Sequence, residues 1–365
     1  MVPAKLLGMS QPDLSRFREK IDAIDSQLID LLSRRAALAI EIGAIKGKDG
    51  KPFFTPERER EIFAKLDQTN PGPLQTSQLT AIFREIISAA RAAEKPLFAA
   101  YWGPEGTFSH LAAVKTFGES STLVPAESIE EVFRLVEHGQ ADYGVVPIEN
   151  SVAGIVPETL DIFPSTSLKI CAESFIPVHH HLVTTAASLE EIERVYTGPQ
   201  PERQCRNWLR AHLPHAEIVN VAPTAKAAAQ ALKDAHGAAI ANSMAAEIVD
   251  IPILVEHIED NPLNQTRFLV VGFNEPARTG RDKTSLRFSL GNRPGELYRA
   301  LGAFDRFGVN LMMIESRRAR SFDYNFFLDC VGHRTDENVK SALDALREQS
   351  QDVTILGSYP AAAEG

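Results

Sequence analysis

The sequence has few cysteines and no long apolar run. Its 365 residues include three Cys and two Trp, and no two Cys form a CxxC pair. This argues against a structural zinc site and for reduced thiols. The first residues, MVPAKLLGMSQPDL, lack the apolar core of a signal peptide, and no stretch approaches the length of a membrane span. We therefore expect a cytoplasmic protein that does not bind membranes.

Positive charge is also scarce. The formal net charge is −10, and residues 96–276 carry 23 Asp and Glu but only 10 Lys and Arg. There is no basic face for nucleic acid, no basic recognition helix for a DNA-binding regulator, and no glycine fingerprint for a nicotinamide dehydrogenase. An anion bound in the middle segment must be held by local donors, because the surrounding field is unfavourable.

The chain divides into three segments, with domains predicted at residues 10–95, 97–275 and 283–360. The first is helical throughout. The second alternates short apolar strands with helices, which predicts an α/β domain with mostly parallel strands and ligand loops at their carboxyl ends. The third has a βαββαβ order, typical of an α+β ferredoxin-like sandwich.

Large apolar residues recur every three or four positions along the first helix, which is predicted from Asp13 to Lys46. This seam consists of Leu14, Phe17, Ile21, Ile24, Leu28, Leu31, Leu38, Ile42 and Ile45. A helix about 50 Å long cannot bury such a seam in so small a domain, so we expect a bundle shared by two chains. The seam position at 35 is an arginine, which is costly to bury alone.

Arg35 has two possible explanations. It can reach solvent or pair with an acid such as Asp30, or it can join other cations around a carboxylate ligand. Lys46 lies on the same face, and Arg58 opens the second helix. Arg18 is about 25 Å away along the axis, but Arg18 of an antiparallel second chain could approach.

These helical stretches resemble a known family. LSRFREKIDAIDSQLIDLLSRRAALAIEIGAIK, TPERERE and IFREIISAARAAE resemble the all-helical chorismate mutases that are fused to prephenate dehydratase. The resemblance covers residues 13–95 and implies that chorismate rearranges to prephenate by positioning and electrostatics, without a cofactor. It implies catalytic roles for Arg35, Lys46 and Glu94. The expected substrate contacts are Arg18 of the partner chain, Arg58 and Glu59.

The end of the third helix departs from the well-known bacterial members of that family. Glu94 stands where they have a Gln that donates to the ether oxygen, Ala90 replaces a small hydroxyl residue, and Thr55 replaces an Asp. Glu94 can be an exposed helix end or a buried acid that donates a hydrogen bond. Because a carboxyl group donates only when protonated, we expect mutase activity to decline with rising pH and Glu94→Gln to flatten that profile.

Four polar loops follow predicted strands of the middle segment: GPEGTFSH, VVPIENSVAG, YTGPQPERQC and NPLNQTRF. Any one of them could be an ordinary turn or helix cap. Together they resemble the motifs of prephenate dehydratase across about 98–275, which implies a two-lobed α/β domain. The implied reaction expels carbon dioxide and the ring hydroxyl of prephenate to give phenylpyruvate.

This reaction needs a hydrogen-bond donor at the departing hydroxyl. Decarboxylation supplies the electrons and aromatisation drives the reaction, so we expect no metal or other cofactor. The resemblance implies that Thr266 is catalytic and that Arg267 anchors a carboxylate. The other expected substrate contacts are Asn150, Ser151, Thr197 and Gln204, with backbone amides near Gly106 and Ser151 completing them.

The tripeptide HHH at 179–181 raises the question of a metal. His179 and His181 would share one face of a strand, but no cysteine or acidic partner motif lies nearby, so we expect no metal there. Cys205 is expected to be a small packing residue rather than a nucleophile.

NRPGELYRAL and IESRRA in the third segment resemble the ACT regulatory domain, in which two paired domains hold phenylalanine at their interface. The expected effector-binding residues are Asn292, Gly295, Glu296, Leu297, Glu315, Ser316 and Arg317. Glu296, Tyr298 and Arg318 depart from the usual motifs. A dimerisation module without an effector site is the alternative.

The combined resemblance implies a bifunctional chorismate mutase and prephenate dehydratase of phenylalanine biosynthesis, active as a homodimer or tetramer and inhibited by phenylalanine. The alternative is a non-catalytic small-molecule sensor that combines a two-lobed domain with an ACT domain. A sensor would leave the cations of the first helix unexplained.

Overall fold

The structure is a computed structural model that describes residues 14–49, 51–222, 225–318 and 324–362. The predicted starts at residue 10 and Asp13 lie outside this part. Three helices form the helical domain, as predicted: α1 (Leu14–Asp49), α2 (Pro56–Thr69) and α3 (Thr76–Glu94). Within the described residues, none of the helices is long and apolar enough to cross a membrane.

The helical domain leaves the apolar seam of α1 uncovered. Its nine large side chains, from Leu14 to Ile45, are each 49–66% exposed. α1 packs on α3 through a neighbouring face that contains Ala39 and Gly43. A Cβ added to Gly43 would lie 2.9 Å from the Cβ of Glu94, so glycine permits the close approach of the two helices.

The middle of the chain forms a domain of two lobes. The first lobe contains β1 (Phe98–Trp102), α4 (Phe108–Phe117), β2 (Thr122–Ala126), α5 (Ile129–Glu137), β3 (Tyr143–Asn150), β4 (Gly154–Ile155), α6 (Pro157–Ile162) and β5 (Lys169–Pro177). The second lobe contains β6 (His181–Thr184), β7 (Arg194–Thr197), α7 (Pro199–Gln204), α8 (Arg206–His212), β8 (Glu217–Asn220), α9 (Ala225–Ala231), β9 (Gly237–Ala241), α10 (Ser243–Val249) and β10 (Ile253–Val255). The chain then returns to the first lobe as β11 (Gln265–Gly272).

Each lobe has a mixed sheet, so the expectation of mostly parallel strands was wrong. The first sheet has the order β2-β1-β3-β11-β5, and β11 runs antiparallel to both of its neighbours. The second has the order β10-β6-β9-β7-β8, with β7 parallel to β8 and β9 and the other pairs antiparallel. In the first lobe the reason is that β11 re-enters from the second lobe, not through the helical crossover that a parallel strand requires.

Two short connections join the lobes and run side by side. We call them the outgoing connection (178–180) and the return connection (256–264). The N–H of Val178 donates to the carbonyl of Asn264 at 2.8 Å, and the N–H of Ile258 donates to the carbonyl of His180 at 2.8 Å. These bonds fix the register of the two connections, which together form the hinge between the lobes.

The C-terminal domain has the predicted βαββαβ order. Its elements are β12 (Asp282–Leu290), α11 (Glu296–Arg306), β13 (Leu311–Arg318), β14 (Tyr324–Val331), α12 (Glu337–Gln349) and β15 (Asp352–Pro360). The strands are antiparallel in the order β13-β14-β12-β15, which is that of a ferredoxin-like sandwich. One face packs on α11 and α12, and Phe327, Leu356 and Tyr359 on the other face join a core of the first lobe.

Candidate active sites

A cleft of about 600 Å³ lies between the two lobes. The first lobe contributes Asn150 and Thr266 to its wall, the second contributes Gln204 and Asn242, and the outgoing connection contributes His180. Among the described residues that line this cleft, none is Lys or Arg. Neutral hydrogen-bond donors must therefore recognise any anion bound in it.

Thr266, at the start of β11, is held in place by Asn150 at the end of β3. The Asn150 Nδ2 donates to the Thr266 Oγ1 at 2.9 Å, while its Oδ1 accepts from the N–H groups of Val152 and Ala153 at 3.1 and 2.8 Å. The two backbone donors fix the orientation of the amide. The Thr266 Oγ1 thus accepts a bond from the protein, and its own O–H finds no acceptor among the described residues.

Gln204 and His180 form a second polar pair. The Gln204 Oε1 lies 2.7 Å from the His180 Nε2. Burial lowers the pKa of His180, outweighing the opposite effect of the bond to Gln204. The neutral ring therefore donates from Nε2, and the Gln204 amide nitrogen, which has no partner among the described residues, remains available as a donor.

The loop that precedes α4 closes one side of the cleft. Gly106 has a φ of +78°, and an added Cβ would meet the Cβ of Ala245 in the second lobe at 3.2 Å. Its carbonyl accepts a bond from the Asn242 Nδ2 at 2.9 Å, and its N–H donates to the His110 Nδ1 at 3.1 Å. Thr107 caps α4 by accepting from the N–H of His110. Glycine is required here because both the φ and the close approach exclude a side chain.

Ser151 and Thr197 are not among the described residues that line the cleft. The Ser151 Oγ accepts from the N–H of Gln265 at 3.0 Å and so holds the start of β11. Thr197 is fully buried, and its hydroxyl donates to the carbonyl of Gly198 at 3.2 Å. Both residues support elements that line the cleft.

Arg267 does not fit the expected role of substrate anchor. Strand alternation turns it away from Thr266, and its guanidinium lies 2.8 Å from a carboxylate oxygen of Glu173 and 2.6 Å from one of Asp329. It also donates to the Tyr359 hydroxyl at 3.0 Å. Asp329 and Tyr359 belong to the C-terminal domain, so Arg267 joins that domain to the first lobe.

Three of the predicted mutase residues lie where α1 packs on α3, and two of them, Lys46 and Glu94, are in contact. The Lys46 Nζ lies 3.7 Å from the Glu94 Oε2, and the Arg35 Nη1 lies 3.4 Å from the carbonyl of Ile86. The Glu94 Oε2 is buried and has no hydrogen-bond partner. Arg35 is only partly buried and does not pair with Asp30, which binds Arg34 instead.

The remaining predicted mutase residues stand apart from this group. Arg58 is exposed and pairs with Glu61. Glu59 pairs with the buried Arg91 at 2.8 Å, and although Arg91 lowers its pKa, burial is the larger effect and leaves that pKa raised. Arg18 is exposed on α1. One chain therefore assembles only part of the predicted site.

The seven predicted effector residues are all exposed or partly exposed. Gly295 has a φ of +83° at the start of α11, so the sharp turn into this helix favours glycine. Glu315, Ser316 and Arg317 lie on β13, an edge strand. Arg317 contacts Asp161 of the first lobe at 2.6 Å, and this bond raises its pKa.

Sequence reasoning missed several polar residues near the cleft. Asn242 directly follows β9. It is the polar residue that ends the apolar run GAAIAN (237–242), and a polar residue at a strand end could have been predicted to line the cleft. His180 was considered only as part of a histidine run. His257 and Glu259 meet His179 across the two connections, and the sequence separation of about 80 residues gave no signal of this contact.

Comparison with known proteins matches all three domains. The family model for chorismate mutase type II matches residues 17–95, that for prephenate dehydratase matches 99–276, and that for the ACT domain matches 284–348. A prephenate dehydratase from Arthrobacter aurescens, solved in complex with L-Phe, is 36% identical with a TM-score of 0.67. The match covers 72% of this chain and 90% of that one.

Two relatives match along nearly their whole length, and both are named bifunctional chorismate mutase/prephenate dehydratase. The one from Aquifex aeolicus is 43% identical over 96% of this chain and 98% of its own. The one from Stutzerimonas stutzeri is 42% identical over 97% of this chain and 100% of its own. These matches do not favour a non-catalytic sensor. The chain belongs to the family of bifunctional chorismate mutase/prephenate dehydratases, enzymes with an isomerase and a lyase domain followed here by an ACT domain.

Proposed function

We propose that Thr266 donates the hydrogen bond that releases the ring hydroxyl of prephenate in the interlobe cleft. The observation that carries this role is the Asn150 amide, which donates to the Thr266 Oγ1 and leaves the threonine hydrogen free for a ligand. A threonine is too weak an acid to ionise, so it stabilises the departing oxygen as a hydrogen-bond donor.

The reaction then requires no covalent intermediate. The bond between the ring and its carboxylate breaks and releases carbon dioxide, and its electron pair enters the ring. The carbon–oxygen bond of the hydroxyl breaks, and the oxygen leaves as water after taking up a proton. That proton comes from solvent, because Thr266 donates a hydrogen bond without ionising.

Neutral groups hold the carboxylates of prephenate in this proposal. Gln204, Asn242 and the N–H groups of the loop before α4 face the cleft from both lobes. Hydrogen bonds from such dipoles are strong in a site that excludes water. Decarboxylation removes the negative charge of the carboxylate. A guanidinium would stabilise that charge and oppose the loss of carbon dioxide, whereas neutral donors oppose it less.

For the mutase reaction we propose a site shared by two chains. Arg35 and Lys46 of one chain hold the two carboxylates of chorismate, and Arg18 of an antiparallel partner completes the set of cations. The exposed seam of α1 supports this arrangement, since a contiguous apolar stripe of this length indicates a protein interface. A second copy covers the seam and brings the distant Arg18 to Arg35. The complete assembly is a dimer, or a tetramer built from it.

Glu94 is proposed to donate to the ether oxygen of chorismate. The buried Glu94 Oε2 has no hydrogen-bond partner among the described residues, and the Lys46 Nζ lies 3.7 Å from it.

Complementation tests the shared mutase site. Arg18→Ala and Arg35→Ala each remove a different cation, so either variant alone should lose mutase activity. In mixed dimers one of the two sites is intact, and a statistical mixture should regain about a quarter of the native activity. No regain on co-expression would contradict the shared site.

We further propose that phenylalanine inhibits the enzyme through paired ACT domains and that the enzyme is cytoplasmic. The exposed effector residues and the L-Phe complex of the Arthrobacter aurescens relative support the first proposal. The buried free thiols of Cys171, Cys205 and Cys330 support the second, since a reducing compartment preserves them.

One experiment tests the whole sequence of steps. Purified protein receives chorismate alone, and prephenate and phenylpyruvate are followed with and without phenylalanine. We expect phenylpyruvate to form and to fall when phenylalanine is added. Prephenate that accumulates without phenylpyruvate would contradict the proposed cleft chemistry, and unchanged rates with phenylalanine would contradict the effector proposal.

A further inference from the structure

A group of potential metal ligands lies at the hinge between the two lobes, outside the catalytic cleft. His179 comes from the outgoing connection, and His257 and Glu259 come from the return connection. The His179 Nδ1 lies 2.8 Å from the Glu259 Oε1 and 3.2 Å from the His257 Nδ1. The His257 Nδ1 lies 3.4 Å from the same Glu259 oxygen. Three potential ligand atoms thus converge from two separate segments.

These separations are close to those around a tetrahedral zinc ion. Zinc binds imidazole nitrogen and carboxylate oxygen at about 2.0–2.2 Å, which places two ligands about 3.3–3.6 Å apart. The distances from the His257 Nδ1 to the other two atoms nearly satisfy this. The pair formed by His179 and Glu259 would have to separate by about 0.5 Å, exchanging a hydrogen bond for two metal bonds.

The protein holds Glu259 in position by a bond that metal binding would not disturb. The Glu259 side chain is only 2% exposed, and its Oε2 accepts from the N–H of His180 at 2.9 Å, which leaves Oε1 to face the two imidazoles. This carboxylate oxygen is therefore placed to bind a cation.

His257 has an unusual backbone for its residue type. Its φ is +55°, and its N–H donates to the His181 Nδ1 at 3.2 Å. A residue other than glycine in this left-handed region is uncommon, and such conformations concentrate at functional sites. This conformation turns the His257 ring toward His179, and the bond from the His257 N–H engages His181. Because the His181 Nδ1 accepts this bond, His181 is not one of the proposed ligands.

The two facing imidazole nitrogens are close enough to share one proton or one metal ion. When both rings are neutral and both Nδ1 atoms carry lone pairs, they repel each other at 3.2 Å. One proton or one metal ion between them removes the repulsion. Two imidazoles and one carboxylate suit Zn²⁺ or a similar divalent transition metal, with the fourth position open to water from the exposed side.

We propose that His179, His257 and Glu259 bind one divalent transition metal ion, with zinc as the best fit, and that this ion joins the two connections of the hinge. Glu259 also accepts a bond from the backbone N–H of His180, and the His180 ring bonds Gln204 in the cleft, so two residues connect the ion to Gln204. Metal binding stiffens the hinge and limits the relative movement of the two lobes.

Metal binding to the untagged, chelator-treated full-length protein tests this proposal. Titration with Co²⁺, followed by its visible absorption, and with Zn²⁺ by calorimetry should show one ion per chain. His257→Asn keeps a residue type that tolerates the left-handed backbone. It should weaken binding at least about tenfold, as should His179→Asn. The matched control is His212→Asn. His212 is an exposed histidine on α8, remote from the hinge residues in sequence, and this variant should bind metal like the native chain.

A second measurement separates a hinge site from binding elsewhere on the chain. Zn²⁺ should slow hydrogen exchange at residues 178–183 and 256–261 in the native protein and leave it unchanged in His257→Asn. Glu259→Gln completes the series, but the two exposed histidines carry the test if that buried substitution prevents folding. Absence of one-to-one binding, or equal binding by native, His179→Asn and His257→Asn proteins, would overturn the proposal.

Discussion

The two catalytic regions of this chain differ in how complete they are within one polypeptide. The cleft of the dehydratase domain gathers its polar groups from both lobes of a single chain, and Asn150 already holds Thr266 in place. The helical domain brings Lys46 to Glu94 and places Arg35 on the same helix face as Lys46, but it leaves Arg18 distant and the seam of α1 exposed. The α/β domain forms its cleft within one chain, whereas the helical domain leaves an apolar surface exposed that a second copy would cover in the proposed mutase site.

The largest expected effect is a loss of dehydratase activity without a loss of mutase activity. Thr266→Ala removes the donor to the departing hydroxyl and should lower dehydratase turnover by about 10²–10⁴-fold, the usual contribution of a positioned proton donor. Mutase activity should stay unchanged, because the helices share no residue with the cleft. Assays with prephenate and with chorismate measure the two activities separately. The control is Thr122→Ala, which changes an exposed threonine on β2. Dehydratase turnover that survives Thr266→Ala would remove Thr266 from the mechanism.

A substitution in the helical domain should have the opposite effect, a loss of mutase activity without a loss of dehydratase activity. Arg35→Ala should reduce mutase activity by about 10²–10³-fold, since it removes one fixed charge from the substrate, and should leave dehydratase activity with prephenate unchanged. Arg34→Ala is a closely matched control, because the neighbouring Arg34 is 72% exposed and pairs with Asp30 on the surface. Equal losses from both substitutions would indicate a general effect on the helix and not a role at the site.

A smaller effect should appear where the dehydratase domain meets the ACT domain. Arg267→Met leaves the buried carboxylates of Asp329 and Glu173 with fewer partners, and Lys283, 2.9 Å from Glu173, compensates only one of them. Loss of one partner from a buried ion pair costs about 3–5 kcal/mol in free energy of unfolding. Urea unfolding followed by tryptophan fluorescence is a suitable measurement, because both tryptophans, Trp102 and Trp208, lie in the dehydratase domain.

The control for that measurement is Arg278→Met. Arg278 is 59% exposed and pairs with Asp336, and an exposed pair of this kind contributes about 0–1 kcal/mol to stability. A loss for Arg267→Met no larger than that of the control would contradict a structural role for the buried network.

The smallest expected effect concerns pH and the loop that closes the cleft. His110 stacks on Tyr101 and accepts the Gly106 N–H at its Nδ1. Burial lowers the pKa of His110, although Glu105 and Glu119 act in the opposite direction. The unfolded chain therefore binds this proton more readily. His110 contributes stability above its unfolded pKa of about 6.5, and this contribution is lost as the pH falls below that value.

Substitution by glutamine checks this pH dependence. His110→Gln keeps an acceptor for Gly106 but does not titrate in this range, so its free energy of unfolding should fall less than that of the native chain between pH 7.5 and 5.5. His138→Gln changes an exposed histidine and should behave like the native chain. Identical pH profiles for the native chain and His110→Gln would contradict the assignment.

Much of the fold could be predicted because each element has a local signal. Pro56 marks the start of α2, the 3–4 spacing marks α1, and the βαββαβ order of the last segment identifies its topology. The direction of β11 could not be predicted, since a strand has the same pattern whichever way it runs. Asn150 and Gln204, which line the cleft, were expected at the site because their motifs resemble those of prephenate dehydratase.

Sequence by itself determined the three-domain order, the helical and α/β classes, the unburied seam with Arg35 in it, and the polar loops that include Thr266, because all of these depend on residues near one another in the chain. Only the tertiary structure decided that Arg267 pairs with Asp329 and that His179 meets His257 and Glu259. These contacts join segments from about 60 to 80 residues apart. Their partners are set by how sheets and lobes pack, which no local pattern records.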